Sequence, residues 1–166
     1  MGDAQRGDPL YLGVVGAGDE NEETDAVAFE VGAGIAKAGE ILICGGLGGV
    51  MTAAARGARA AGGRTVGILP GDSRAHGNSY LDVAIPTGMG EMRNALIARA
   101  ADVLIAVGGE YGTLSEIAFA LKIGKPVVGL HSWSAIDGIL QTESAEEAVA
   151  TALRLAGSGY ERRPGR

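Results

Sequence analysis

The sequence predicts a three-layer, doubly wound α/β fold, a mainly parallel sheet with helices on both faces. Three observations carry this. Apolar runs of four to six residues alternate along the chain with helical patterns. Several runs, Ile41–Cys44 and Val103–Val107 among them, are apolar without alternation, so both of their faces must be covered. Glycine clusters at 16–18, 45–49 and 108–112 each follow such a run, where a strand has to turn sharply into a helix. Sheets of this kind bind ligands outside the carboxyl ends of their strands. The three clusters are therefore expected to line one edge, far apart in sequence and close in space.

The elements follow in order. Residues 10–15 (LYLGVV) form a first strand ending in the turn 16–18. Residues 24–38 carry apolar side chains at helical spacing behind an acidic first turn, a helix weakened by Gly32 and Gly34. The second strand is 41–44, closed by GGLGG at 45–49, and 50–61 is an alanine-rich helix stopped by Gly62-Gly63. Residues 65–69 are the third strand, 72–80 a polar loop, and 83–85 a brief strand before Pro86. Residues 90–101 read as a helix with Met92, Leu96, Ile97 and Ala100 on one stripe. Residues 103–107 are the next strand, 113–123 its helix, and 126–130 the last strand. A terminal helix spans 143–155, with Ser144 and Glu147 spaced as a capping box. The domain organisation is a flexible start at 1–9, one domain at 10–157 and a flexible tail at 158–166.

Composition narrows the function. With 166 residues the chain fits one domain with a real core. Aromatic residues make up only 4%, too few for a stacking single-strand binder. A net charge of −6 disfavours nucleic acid as a partner. A small anion is still compatible, because backbone donors and one arginine outweigh global charge locally. Cys44 is the single cysteine, read as a buried hydrophobe, so neither an intrachain disulfide nor a cysteine-rich metal site is expected. The chain start lacks a signal-peptide pattern and no apolar run reaches membrane-spanning length, so a cytoplasmic protein without membrane contact is expected.

The candidate site centres on 103–124, where strand, glycine turn and helix make an anion site from free backbone N–H groups and the helix dipole. Gly108, Gly109, Gly112 and Thr113 are its expected phosphate-binding residues. Gly45, Gly46, Gly48 and Gly49 have two readings, a close approach of helix to sheet or a backbone wall against a ligand. Glu116 also has two: with Thr113 it matches a capping box, or it points beside the anion toward a neutral part of the ligand such as a sugar. Arg93 falls in a helix first turn, where a cation is disfavoured unless an anion is near. Asn94 beside it is a cap or a ligand contact. His76 has no partners at metal-ligand spacing, so no metal is expected, and Asp72, Ser73 and Arg74 read as turn chemistry. GVVGAG at 13–18 reverses the dinucleotide spacing and no P-loop exists, so no nicotinamide, flavin or other cofactor is expected.

GGEYGTLSE at 108–116 resembles the GGxGTxxE core of the lonely-guy (LOG) family, Rossmann-like proteins once labelled lysine decarboxylases. GGLGGVMTAAARGA at 45–58 is similar to that family's glycine turn before its second helix, and 87–128 looks like a bacterial branch near the molybdenum-cofactor carrier proteins, with a distant likeness to the DNA-processing Rossmann domain. The resemblance implies hydrolysis of the N-glycosidic bond of an AMP-type, N6-modified nucleoside 5′-monophosphate to free base and ribose 5-phosphate. It places the catalytic arginine on Arg93 and the catalytic glutamate on Glu116. Val107 stands where the family has proline, and Asn94 where lysine usually follows the arginine. The Arg-Asn pair belongs to the carrier-like branch, which implies the alternative of a non-catalytic binder or carrier of a phosphorylated ligand, a nucleotide or molybdenum cofactor. The family also implies a homodimer or higher homo-oligomer, for which the stripe on 90–101 and the alanine-rich helix 50–61 are candidate faces.

Overall fold

The computed structural model describes residues 7–158, so 1–6 and 159–166, which hold most of the expected flexible termini, lie outside the described residues. Seven strands make one sheet: β1 (Tyr11–Gly16), β2 (Ile41–Cys44), β3 (Arg64–Leu69), β4 (Val83–Pro86), β5 (Val103–Val107), β6 (Val127–Leu130) and β7 (Ile139–Thr142). Their order is β4-β3-β2-β1-β5-β6-β7, and every pairing is parallel. The helices are α1 (Glu22–Lys37), α2 (Val50–Ala60), α3 (Asn94–Ala100), α4 (Tyr111–Lys122) and α5 (Ala145–Gly157).

Two apolar layers sandwich the sheet. Val14, Leu42 and Ile105 pack with α1, α2 and α5, while their neighbours Val15, Ile43 and Leu104 pack with α3 and α4. Strand side chains alternate between faces, so uninterrupted apolar runs feed both layers, as the sequence requires. Gly32 and Gly34 weaken α1 as an isolated helix, yet Gly32 is where α2 comes closest. A Cβ at Gly32 would stand 1.9 Å from the Ala54 carbonyl oxygen, and one at Gly57 would stand 2.0 Å from that of Phe29. The alanine-rich face of α2 is thus spent inside the molecule against α1, and Ala53, Ala54, Ala55 and Ala58 are buried there. That overturns its reading as an interface face.

Three further expectations are corrected. The sheet does not end at β6: ILQT adds β7 on its edge. An edge strand is covered on one side only, and Leu140 and Gln141 are exposed, so it lacks the apolar run that marks the others. The 90–101 helix is instead a 3-10 turn, Gly90–Arg93, followed by the shorter α3. The tighter first turn changes the helical phase, so Met92 is 72% exposed and the buried face is Arg93, Asn94, Ile97 and Ala98. Finally, α4 begins at Tyr111 with Glu110 as its N-cap, not at Thr113.

Other local expectations hold. Ser144 accepts from the Glu147 N–H at 3.2 Å, and the Glu147 carboxylate accepts in return from the N–H of Glu143 at 2.9 Å. Ser73 caps the 3-10 turn of the polar loop by accepting from the Ala75 N–H at 3.2 Å. No helix among the described residues is long and apolar enough to cross a membrane.

Candidate functional site

β2, β1 and β5 are neighbours, so the three glycine turns stand side by side at the carboxyl edge of the sheet. The turns at 16–19 and 45–49 close on each other. The Val50 N–H donates to the Ala17 carbonyl at 3.1 Å, and a Cβ at Gly48 would lie 2.8 Å from the Gly18 oxygen. Close approach therefore accounts for Gly48 and Gly49. Gly46 is filled on its Cβ side by Leu69 at 2.4 Å. Gly45 makes room for a side chain: its missing Cβ leaves the space that Met51 Sδ and Arg93 Nη2 occupy.

Arg93 ends the 3-10 turn and is 6% exposed. Its Nε donates to the Ile68 carbonyl at 2.7 Å and its Nη2 to the Gly45 carbonyl at 3.1 Å, while Nη1 donates to Asn94 Oδ1. Three of the five guanidinium N–H groups are thereby tied down, and the planar fork is held between the ends of β2 and β3 with two left over. Asn94 passes the restraint on: its Nδ2 donates to Ser115 Oγ at 3.0 Å, and Ser115 Oγ donates to the Gly112 carbonyl at 2.6 Å. One hydrogen-bonded chain thus joins Arg93 to the first turns of α4. Sequence reasoning picked out Arg93 and Asn94 but missed Ser115, whose role shows only when α3 and α4 lie together.

At the α4 amino end no side chain caps the helix. Its first-turn N–H groups have no intrahelical acceptors and remain available to an anion. Gly109, at φ 120°, sets the turn in a conformation that only glycine adopts freely, and a Cβ there would meet Thr113 at 2.6 Å. A Cβ at Gly112 would meet nothing within 4 Å, so the approach to the first turn is open. Thr113 is 2% exposed, and its hydroxyl has no partner among the described residues. The expected capping box with Glu116 is therefore absent: Thr113 is the third residue of the helix, and Glu116 lies in the second turn, too far along to reach back to a cap.

Released from capping, Glu116 is buried at 7% exposure without a hydrogen-bond partner among the described residues. Burial pushes its carboxyl up to about 8 from 4.5, Arg93 pulls it partway back, and Glu91 adds to the rise. Cys44, at the end of β2, sits in the field of the same pair; burial pushes its thiol up to about 12, and its Sγ donates to the Met51 carbonyl. It stays a neutral thiol, as its reading as a buried hydrophobe expects. At neutral pH the cluster is a fixed guanidinium beside a largely protonated acid, which favours an arriving phosphate. Among the described residues no group of three or more His, Cys, Asp or Glu side chains is placed to hold a metal ion.

The chain is similar to proteins of known family and known structure. The model of the SLOG cluster4 family matches residues 9–156. A protein of Archaeoglobus fulgidus, described as uncharacterized, is 49% identical over 140 residues, 84% of this chain and 92% of its own. The cytokinin riboside 5′-monophosphate phosphoribohydrolase of Mycobacterium tuberculosis is 37% identical over 123 residues, 68% of this chain and 65% of that enzyme. Among solved structures, the Moco carrier protein of Chlamydomonas reinhardtii has a TM-score of 0.80 at 37% identity, covering 90% of this chain and 98% of that one.

Proposed function

The chain belongs to the SLOG cluster4 family, and from that membership and the state of Glu116 we propose that it is a phosphoribohydrolase acting on AMP-type nucleoside 5′-monophosphates, N6-modified ones included. The observation that carries the proposal is a buried, unpaired carboxyl poised near 8 beside a pinned arginine. Structural carboxyls are usually hydrogen-bonded or well exposed; a buried one without a partner, beside an arginine, is a candidate for proton transfer.

In this reading the phosphate docks on the α4 amino end, against the N–H groups from Gly109 to Thr113 and the free Thr113 hydroxyl. The two spare N–H groups of Arg93 hold its far side, where the guanidinium rests against the Gly45 carbonyl. Ribose C1′ then faces Glu116. Cleavage of the C1′–N bond passes through an oxocarbenium-like state, which an ionised Glu116 stabilises. Water attacks C1′ and gives one proton to Glu116; the C1′–N bond electrons leave with the base, which takes that proton from Glu116 and restores the carboxylate. Base and ribose 5-phosphate are the products. Asn94 and Ser115 act as positioning residues, fixing Arg93 relative to α4.

The likeness to a Moco carrier favours a second reading, a binder that holds a phosphorylated ligand without cleaving it. Release of free base from AMP and N6-modified AMP separates the two. Turnover abolished in Glu116→Gln, with ligand-induced thermal stabilisation retained, supports the hydrolase; stabilisation of the wild type without any base release refutes it. The protein is further proposed to be cytoplasmic and to self-associate through the exposed Met89, Met92 and Leu96. A monomer mass in light scattering at micromolar concentration would remove that assembly.

A further inference from the structure

The Arg93–Glu116 cluster occupies only one side of the α4 amino end. Arg93 is anchored to β2 and β3, which lie on one side of β5; β6 and β7 lie on the other. Between the ends of β6 and β7 is a cavity of about 310 Å³, lined by His131, Ser132, Trp133, Gln141, Thr142 and Glu143 among others. It adjoins the anion-binding turn. The Gly108 N–H donates to the Leu130 carbonyl at 3.0 Å, and the ring of Tyr111, the first residue of α4, lies 6.2 Å from that of Trp133.

The turn bordering this cavity is under-satisfied. Among the described residues the hydroxyl of Ser132, itself 4% exposed, has no partner, and the Trp133 Nε1–H is likewise buried and unpaired. His131 and Trp133, neither of them glycine, hold φ at 53° and 29°. Strain and unpaired polar groups in one short turn persist where a ligand supplies what the free protein lacks. No lysine or arginine lines the cavity, and Glu143 brings a carboxylate, so a phosphoryl group does not belong inside it. Hydroxyls, an indole N–H and a carboxylate suit the alternating donors and acceptors of a sugar.

We propose that this cavity is a second subsite for a hydroxyl-bearing sugar joined to the bound phosphate through a further phosphoryl group. The strand order requires that such a unit leave the phosphate on the side opposite the cleaved nucleoside. The substrate class then extends from nucleoside monophosphates to their pyrophosphate-linked sugar esters, of which ADP-ribose is the simplest probe. This rests on the reading that α4 holds the phosphate.

The test is calorimetric titration of the full chain with AMP, ADP and ADP-ribose, run beside the AMP cleavage assay. ADP carries the same pyrophosphate without the second sugar. ADP-ribose is expected to bind at least about tenfold tighter than ADP, the scale of one or two well-made polar contacts. Ser132→Ala and Trp133→Phe, which remove only a hydroxyl and an indole N–H, should each erase most of that gain and leave ADP unchanged. Equal affinity for ADP and ADP-ribose, or variants that weaken ADP as much, overturns the subsite. AMP cleavage without an ADP-ribose gain overturns the subsite alone. An ADP-ribose gain without AMP cleavage upholds the subsite and refutes the hydrolase. Failure of all three ligands to bind ends both.

Discussion

Replacing Glu116 with glutamine should stabilise the ligand-free protein at alkaline pH and do little in acid. A carboxyl raised from 4.5 to about 8 binds its proton more tightly in the folded chain than in the unfolded one. Its contribution to stability is therefore complete below 4.5 and is lost as pH rises through about 8. At about 1.4 kcal/mol per pH unit, the whole window amounts to roughly 5 kcal/mol. Glutamine keeps the shape and never ionises, so the variant escapes this loss. Between pH 6 and pH 9 its stability relative to wild type should climb by roughly 2–3 kcal/mol and level off above. pH 6 also stays clear of the sequence pI of about 4.9. Urea unfolding of both proteins across this range measures the difference directly, and pH effects on the rest of the chain cancel in the comparison. Stability curves that run parallel from pH 6 to pH 9 would show a solvated carboxyl with an ordinary affinity for protons. They would remove the poised acid from which the hydrolase reading starts.

Other consequences are equally concrete. If Glu116 is the base, kcat/KM for AMP should rise with pH to a plateau governed by a group near 8; a limb ending near 6 would report only the substrate phosphate. Gly45→Ala puts a Cβ 2.7 Å from Arg93 Nη2 and 2.6 Å from Met51 Sδ, both ends of movable side chains. Folding should lose about 1–2 kcal/mol, while AMP affinity falls about tenfold because the guanidinium is displaced; unchanged affinity by calorimetry would detach Arg93 from the ligand. Gly32→Ala drives a Cβ to 1.9 Å from a backbone oxygen of α2, which cannot rotate away. A loss of about 3 kcal/mol or more in urea unfolding is expected, and a change below 1 kcal/mol would contradict the α1–α2 packing.

Legibility from sequence followed how local each cause is. β2 and β5 could be bounded by reading alone, because a strand covered on both faces must be apolar throughout. The Ser144 cap was legible because its partner is three residues away. β7 was not, since ILQT is defined by pairing with β6 and not by its own pattern. The same spacing that succeeds at Ser144 misleads at Thr113, because the turn after β5 starts its helix two residues earlier, at Tyr111. Nothing local distinguishes those two cases.

The sequence by itself determined that the sheet is parallel and covered and that its turns are glycine-built, and it singled out Arg93, Glu116 and the 108–113 turn as candidates. Only the tertiary structure decided how they stand. It pinned Arg93 through Ile68, Gly45 and Asn94, tied Asn94 to α4 through Ser115, and buried Glu116 and Thr113, the Thr113 hydroxyl without a partner among the described residues. The division has a physical reason: strand and helix patterns arise from covering neighbouring side chains, over a few residues of chain. A buried group's proton affinity and its missing partner depend on surroundings that the chain assembles from β2, β3, α3 and α4 only when it folds.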